Sequence, residues 1–161
     1  MLFHVGQSLQ HNPLVVWLNA TAWTAVVTEV VHYFSMFVLV GSTAIVDLRV
    51  LGVAARNQSA SFLAERLFPW TWAALALNVV SGFLMFAGDA PSYIPNSLFH
   101  LKVTIVVLAV LFGILVQWGV PRWDHLPFIP AWGKLVALIS LVLWMSAIIA
   151  GVEVPALTGV G

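Results

Sequence analysis

The feature that most constrains this chain is a series of four apolar stretches separated by short charged islands. Each stretch is close to the ~20 residues that a helix needs to cross a bilayer. Because 61% of the residues are hydrophobic and only six are basic and six acidic, the chain has too little polar surface to cover a soluble globule. We therefore expect an all-α integral membrane protein, folded as a four-helix bundle in one domain over residues 1–161.

Capping residues and prolines set the limits of the expected spans, which are 23–46, 67–88, 97–120 and 134–152. The polar sequence DLRVLG closes the first span, and Asn96 or Ser97 can cap the third, which ends before Pro121. Pro69 is tolerable in the first turn of the second span. Ahead of the spans, the stretch NPLVVWLN predicts a short helix lying at the membrane interface.

Basic residues in the short loops predict the orientation. Arg49, Arg56, Arg66, Arg122 and Lys134 lie at one membrane boundary, and Lys102 at the other. By the positive-inside rule, the N-terminus and the C-terminus both face outward, toward the periplasm if the chain lies in a bacterial inner membrane. The starts of the first and third spans then share the outer half of the bilayer.

An ionisable pair, Glu29 and His32, lies within the first span. His32 follows Trp23 by nine residues, which places it ~14 Å along the helix, close to mid-bilayer. Glu29 precedes His32 by three residues on the same helical face, and Met36 extends that face. Ionisable groups at this depth usually face a partner or a wet cavity, which favours a functional role. The alternative is a structural hydrogen bond to a neighbouring helix.

His100 and Lys102 open the third span. His100 lies roughly 6 Å past Asn96, and it could ligate a haem iron together with His32 from another helix. The depths of the two histidines differ by ~8 Å, so the macrocycle would have to tilt. An interfacial anchor is the alternative for His100. Lys102 points roughly 200° away from His100, either along the lipid or toward a haem propionate or Glu29.

The remaining histidines lie outside the spans, and of these His4 or His11 could fold back as an outer ligand. The chain contains no cysteine, so covalent c-type haem, an iron–sulfur cluster and disulfides are excluded. There is no phosphate-binding glycine loop, no metalloprotease motif and no basic aromatic surface for nucleic acid.

Other polar and small residues inside the spans have structural interpretations. Asn78 and Ser81 are expected to form interhelical hydrogen bonds. Gly41 and Gly82 would permit close packing of a helix or a flat macrocycle.

The helix ends carry boundary residues. Asp47 and Arg49 are expected to form a wet ion pair of modest energy. An aromatic belt at the membrane interfaces is expected from Trp17, Trp23, Trp70, Trp72, Trp118, Trp123 and Trp132.

Two segments of the chain, VVHYFSMFVLVGSTAIVDLRVLG and FHLKVTIVVLAVLFGIL, carry a family resemblance. They resemble small four-helix membrane proteins that include HemJ-type protoporphyrinogen oxidases, the membrane domain of CopD-type copper-resistance proteins and uncharacterised relatives. The group's pattern matches His32, Gly41, Arg49, His100 and Lys102. The resemblance implies b-type haem, with His32 as the first candidate for axial ligand and His100 as the next. The sequence AIVDLR departs from the oxidases, so the resemblance implies the haem rather than porphyrinogen oxidation.

We therefore expect a haem b-binding membrane subunit that transfers electrons between a periplasmic partner and quinone or another membrane subunit, without independent catalytic activity. Glu29 could take up the compensating proton. The expected partners are lipid, redox subunits and further copies of the chain, and not nucleic acid. One alternative is a cofactor-free assembly subunit. Another is a copper-handling protein with a path along Glu29, His32 and Met36. Four methionines are few for a copper relay, which argues against the second alternative.

Overall fold

The structure, a computed structural model, describes residues 11–20 and 22–158, without the side chains of residues 14, 18, 19, 22 and 152–158. Over these residues the chain is helical, with α1 at Pro13–Ala20, α2 at Ala22–Leu51, α3 at Ala60–Gly88, α4 at Ala90–Tyr93, α5 at Ser97–Trp123 and α6 at Ala131–Thr158. Four segments are long and apolar enough to cross a membrane: Trp23–Leu51, Ala60–Gly88, Ser97–Trp123 and Ala131–Gly151. The expectation of an all-helical, multi-pass membrane protein is confirmed for the described residues.

Helix α2 continues through the sequence DLRVL and ends at Leu51, five residues beyond the expected limit of 46. Gly52 ends it in a left-handed conformation, with φ of 77°. Its N–H donates to the carbonyl of Arg49 at 3.0 Å, and that of Val53 donates to Leu48 at 2.9 Å. This is a Schellman motif, which needs glycine because a side chain disfavours the left-handed region. The glycine, and not the polar run before it, therefore ends the helix.

Helix α3 begins at Ala60 rather than near residue 67, because two side chains cap its first turn. Ser59 Oγ accepts from the N–H of Phe62 at 3.1 Å. The carboxylate of Asp124, beyond the end of α5, accepts from the N–H of Ala60 at 3.2 Å and of Ser61 at 2.6 Å. Caps satisfy amides that a helix start leaves free. Pro69 consequently lies inside the helix and not in its first turn.

Helix α5 has the expected cap, since Asn96 Oδ1 accepts from the N–H of Leu98 at 3.0 Å and of Phe99 at 3.3 Å. It does not end before Pro121 but continues to Trp123. Proline removes one helical hydrogen bond, and so close to the helix end this leaves the last turn intact.

Helix α2 packs mainly against α3 and also against α6, and α5 packs mainly against α6, whereas α3 and α5 make fewer contacts. One buried cluster lies toward the α2–α3 loop and contains Val46, Val50, Ala60, Ala64, Phe68, Val116, Val120, Trp123 and Ala137. A second lies midway along the bundle and contains Met36, Leu39, Val40, Ala74, Ala109 and Trp144. The loosely packed α3 and α5 leave space between them at both ends of the bundle.

Trp123 is a core residue and not a member of an aromatic belt, because only 1% of its surface is exposed. Its indole packs against two glycines: an added Cβ would lie 2.1 Å from it at Gly119 and 3.0 Å from it at Gly133. Trp132 contacts it edge to face, at 5.1 Å between ring centroids. The indole fits there because neither glycine has a side chain.

Asp47 and Arg49 do not form the expected ion pair in the described part of the chain. Asp47 is 2% exposed and faces Ser140 of α6, and its Oδ2 atom has no hydrogen-bond partner. Arg49 Nε instead donates to the carbonyl of Gln58 in the loop after α2. Two residues apart on a helix point in nearly opposite directions, which separates the two charges.

Candidate functional site

A cavity of about 520 Å³ lies between the four long helices, near the end of the bundle at which α3 ends and α5 begins. Binding pockets for small molecules and cofactors commonly have volumes of ~300–1,000 Å³. The side chains on its walls are mainly apolar, with His32, Asn78 and Lys102 as the polar ones on α2, α3 and α5. The intramembrane histidine of the first span therefore faces a cavity, as its depth led us to expect.

Hydrogen bonds fix the proton on one nitrogen of the His32 imidazole. Nδ1 lies 3.1 Å from the carbonyl oxygen of Asn78 and 3.1 Å from Ser81 Oγ, both on α3. A carbonyl oxygen only accepts, and the Ser81 hydroxyl already donates to the carbonyl of Leu77 at 2.7 Å. Nδ1 must therefore carry the hydrogen, which leaves the Nε2 lone pair of the neutral ring available. A metal-binding histidine typically has this arrangement, because its second nitrogen donates to a carbonyl or a carboxylate.

Asn78 joins α3 to α2 through its side chain as well. Its Nδ2 donates to the carbonyl of His32 at 2.9 Å and to Ser35 Oγ at 3.2 Å. Ser35 in turn donates to the carbonyl of His32 at 2.9 Å. The expectation that Asn78 and Ser81 form interhelical hydrogen bonds is confirmed, and their partner is the histidine itself.

Gly82 permits the close approach of α3 to His32, and Gly41 has no such role. A Cβ added at Gly82 would lie 3.0 Å from His32 Cε1 and 3.4 Å from Nδ1, tighter than most real Cβ contacts. A Cβ added at Gly41 would have nothing within 4 Å, and this residue is exposed. Of the two glycines that the sequence suggested for close packing, only Gly82 lies in contact with another helix.

Lys102 lies at the same cavity as His32, on the side of α5 that faces inward. A Cβ added at Gly151 of α6 would lie 3.8 Å from Lys102 Nζ and 3.9 Å from Met36 Sδ, so both side chains reach the same part of the wall. His100, two residues earlier, is exposed. The expected divergence of these two residues is confirmed, and the lysine is the one that faces inward.

His100 lies outside the cavity that His32 faces. Its Nε2 is 2.8 Å from the carbonyl oxygen of Ile94, so the ring is held at the turn between α4 and α5. The structure therefore does not bring the two predicted haem ligands together. Residues two apart on a helix point in nearly opposite directions, so His100 points away from the cavity when Lys102 points toward it.

Glu29 is exposed and does not contribute to the cavity wall, although it lies one turn from His32. Glu29 interacts electrostatically with Tyr93 in the short helix α4. Burial raises the pKa of Tyr93, and the nearby Asp89, Tyr33 and Glu29 raise it further. Among the other candidate ligands, His11 is exposed and His4 lies outside the described residues.

Three aromatic rings close the cavity at its loop end. Phe86 and Phe99 are stacked with centroids 5.4 Å apart and an interplanar angle of 10°, and Tyr93 lies 5.1 Å from Phe99. All three contribute to the cavity wall. None of the three was predicted from the sequence, although a cluster of aromatic residues lies around the short turn between two spans there.

Two thioethers also face the cavity: Met36 on α2 and Met85 on α3. Met85 was missed, because a methionine in an apolar helix usually fills the core. The site thus combines an imidazole nitrogen with a free lone pair, soft sulfur atoms, one ammonium group and flat aromatic surfaces. In the described part of the chain, no cluster of three His, Asp or Glu residues could hold a metal ion, so a metal here would depend on His32 and on donors of another kind.

No curated protein and no solved structure matches the sequence. A family model does match, over residues 17–155, and its description is that of a family of unknown function. The matched region contains all four segments long and apolar enough to cross a membrane, and every residue of the cavity wall. The chain belongs to this family of unknown function, DUF6644.

Proposed function

We propose that the cavity beside His32 binds a b-type haem, and that the protein is an electron-transfer subunit of a membrane redox complex. The observation that carries the proposal is the geometry of His32. Its Nδ1–H is committed to the carbonyl of Asn78, and its Nε2 lone pair is left for an iron at a cavity of about 520 Å³. The resemblance to HemJ-type and CopD-type proteins supports the same ligand.

The residues around His32 fit such a group. Gly82 leaves room beside the imidazole, where a larger residue would press on Cε1. Phe86, Tyr93 and Phe99 offer flat apolar surface at the loop end of the cavity. Lys102 supplies a positive charge that could pair with a carboxylate such as a haem propionate. A haem supplies one-electron transfer when bound, and its potential depends on the axial ligands and on burial.

Three residues are candidates for a second ligand to the iron. Met36 and Met85 both face the cavity and could act as thioether ligands, a pairing with histidine that raises the potential of a haem. His100 remains the candidate that the sequence suggested, and it would need a different arrangement at the start of α5. The residues of the cavity would bind and orient the haem and exclude water from it, and Asn78 would keep the proton on His32 Nδ1.

Basic residues support a topology with both termini on the outer side of a bacterial inner membrane. Arg56, Arg66 and Lys134 lie at the boundary of the α2–α3 and α5–α6 loops. The cavity then lies in the outer half, within reach of a periplasmic redox partner, and helix α1 lies at the outer interface. Quinone or another membrane subunit would serve as the second partner, and further copies of the chain could complete the complex.

A difference spectrum tests the proposal. The full chain, expressed with an adequate supply of haem and purified in mild detergent, is expected to show a reduced-minus-oxidised signal of b-type haem. His32→Ala should abolish this signal, whereas His125→Ala, an exposed histidine in the α5–α6 loop, should leave it unchanged. Purified wild-type protein without the signal would overturn the haem proposal.

One observation favours a second candidate function, the handling of copper. Two of the four methionines, Met36 and Met85, face the same cavity as His32. Thioether sulfur together with imidazole suits Cu(I). Anaerobic titration with Cu(I) and a colorimetric competitor separates the two functions: stoichiometric Cu(I) binding that Met36→Leu and Met85→Leu remove, in a protein without a haem spectrum, would support copper.

A further inference from the structure

A second large space lies between α3 and α5, at the opposite end of the bundle from the His32 cavity. It is a groove of about 780 Å³ beside the start of α3 and the end of α5. Glu65, Pro69, Trp72 and Arg122, all on its walls, are exposed, so the groove opens sideways from the bundle. Among the described residues, only α3 and α5 line it, and no other helix of the chain covers it.

The groove has one acidic and one basic side chain that do not pair with each other. Within the described residues, the Glu65 carboxylate has no hydrogen bond or ion pair, and Arg122 Nη1 donates only to the carbonyl of Trp118, at 2.9 Å. The guanidinium keeps further N–H donors free. Gln117 Oε1 accepts from Trp72 Nε1 at 3.0 Å, which holds the amide so that its NH₂ remains a donor.

Two prolines leave backbone carbonyls on the same walls without their usual donor four residues on. Pro69 has no N–H, so the carbonyl of Glu65 lacks its helical donor, and Pro121 deprives the carbonyl of Gln117 in the same way. An unpaired carbonyl facing lipid is costly, and it needs a donor from water or from a ligand. The groove therefore offers acceptors near Glu65 and donors near Arg122 and Gln117.

The groove is also graded in polarity along the helix axis. Ser61 and Glu65 lie near the start of α3, whereas Phe68 and Trp72 lie deeper. The twelve residues from Ser61 to Trp72 span ~16 Å, enough to run from the headgroup region well into the hydrocarbon. A ligand that fits has a polar head of mixed charge and an apolar tail.

We propose that this groove is a binding site for one phosphatidylethanolamine molecule. Its primary ammonium group would donate to the Glu65 carboxylate and to the backbone carbonyl of Glu65, which lacks the N–H of Pro69 as a donor. Its phosphodiester would accept from Arg122, and a glycerol ester carbonyl deeper in the groove would accept from the amide of Gln117, which lies beside Trp72. An acyl chain would lie along Phe68 and Trp72. Phosphatidylcholine carries the same charges but has no N–H on its headgroup, so it could satisfy Arg122 and not the acceptors at Glu65.

The test uses the delipidated full chain and native mass spectrometry with two lipids of identical acyl chains. The wild type should retain one phosphatidylethanolamine with an affinity about tenfold above that for phosphatidylcholine, the ratio expected for hydrogen bonds to a charged group. Glu65→Gln should reduce this ratio toward one. Arg122→Gln should weaken both lipids equally, because both carry the phosphodiester.

The matched control is Arg56→Gln, which removes an exposed charge at the same boundary but outside the groove, and it should bind as the wild type does. The comparison of the two lipids uses the wild-type protein, so its result does not depend on whether any variant folds. Equal retention of both lipids by the wild type, or an unchanged ratio in Glu65→Gln, would overturn the proposal. Neither result depends on whether the His32 cavity holds haem.

Discussion

Gly82 lies directly against the imidazole of His32, so that a Cβ added at Gly82 would stand 3.0 Å from His32 Cε1. The glycine therefore lets α3 approach the ring closely enough for the carbonyl of Asn78 to accept from Nδ1, at 3.1 Å. The position of the imidazole, and with it the hydrogen bond from Nδ1, therefore depends on the absence of a side chain at Gly82.

Gly82→Leu is expected to displace the imidazole and to reduce the haem content of purified protein severalfold, with Gly82→Ala giving a smaller loss. The measurement is the ratio of haem absorbance to protein. Gly41→Ala is the matched control, since it adds the same methyl group to a spanning helix with nothing within 4 Å. Equal haem content in Gly82→Ala and Gly41→Ala would contradict the assigned role of Gly82.

His100→Ala and Glu29→Gln are expected to retain the haem signal that His32→Ala loses. Both side chains are exposed and lie outside the cavity, and His100 Nε2 is engaged with the carbonyl of Ile94 at 2.8 Å. Difference spectra of the three variants, expressed in parallel, provide the comparison. If His100→Ala alone abolished the signal, α5 would have to begin differently in the loaded protein, and the bis-histidine expectation from the sequence would stand.

Asn78→Ala is expected to lower the free energy of unfolding by about 1 kcal/mol, because it removes the two hydrogen bonds from Nδ2 that join α3 to α2. Unfolding in detergent, followed by circular dichroism, measures the change. Thr104→Ala is a suitable comparison, since the Thr104 hydroxyl bonds only within its own helix, to the carbonyl of His100. Similar losses in both variants would argue against interhelical stabilisation by Asn78.

Asp124→Ala is expected to cost about 1 kcal/mol, as the loss of a helix cap does, because its carboxylate accepts from two N–H groups at the start of α3. The same contacts make the contribution depend on pH. Burial alone would raise the pKa of Asp124, but hydrogen bonds from Ser61 and Ala60 and the charge of Arg49 outweigh it and lower the pKa.

A carboxyl whose pKa is lowered by folding stabilises the folded state fully above its unfolded pKa of ~3.9, and the stabilisation is lost as the pH falls below that value. Wild type and Asp124→Asn should therefore differ most in stability near neutral pH and converge in acid. Unfolding curves measured from pH 6 to pH 3 test this, and a constant difference across that range would mean that the carboxylate charge does not contribute.

The sequence by itself determined the helical class, the four spans and the expectation that His32 faces a partner or a cavity rather than lipid. These follow from local properties: apolar runs of membrane-crossing length and an ionisable group too deep to face lipid. The Asn96 cap and the divergence of His100 from Lys102 were also predictable, because both depend only on helix geometry and on neighbours in the chain.

The tertiary structure alone decided which residues share the cavity. Four features depend on how each helix is rotated about its axis. They are the inward direction of Lys102 rather than His100, the carbonyl that orients His32, the aromatic wall of the cavity and the burial of Trp123. The Asp124 cap on α3 likewise joins residues more than sixty positions apart. In an apolar helix bundle the polar pattern is too sparse to fix rotation from sequence, because nearly every face is hydrophobic, and small residues such as Gly82 and Gly119 select the faces that come together.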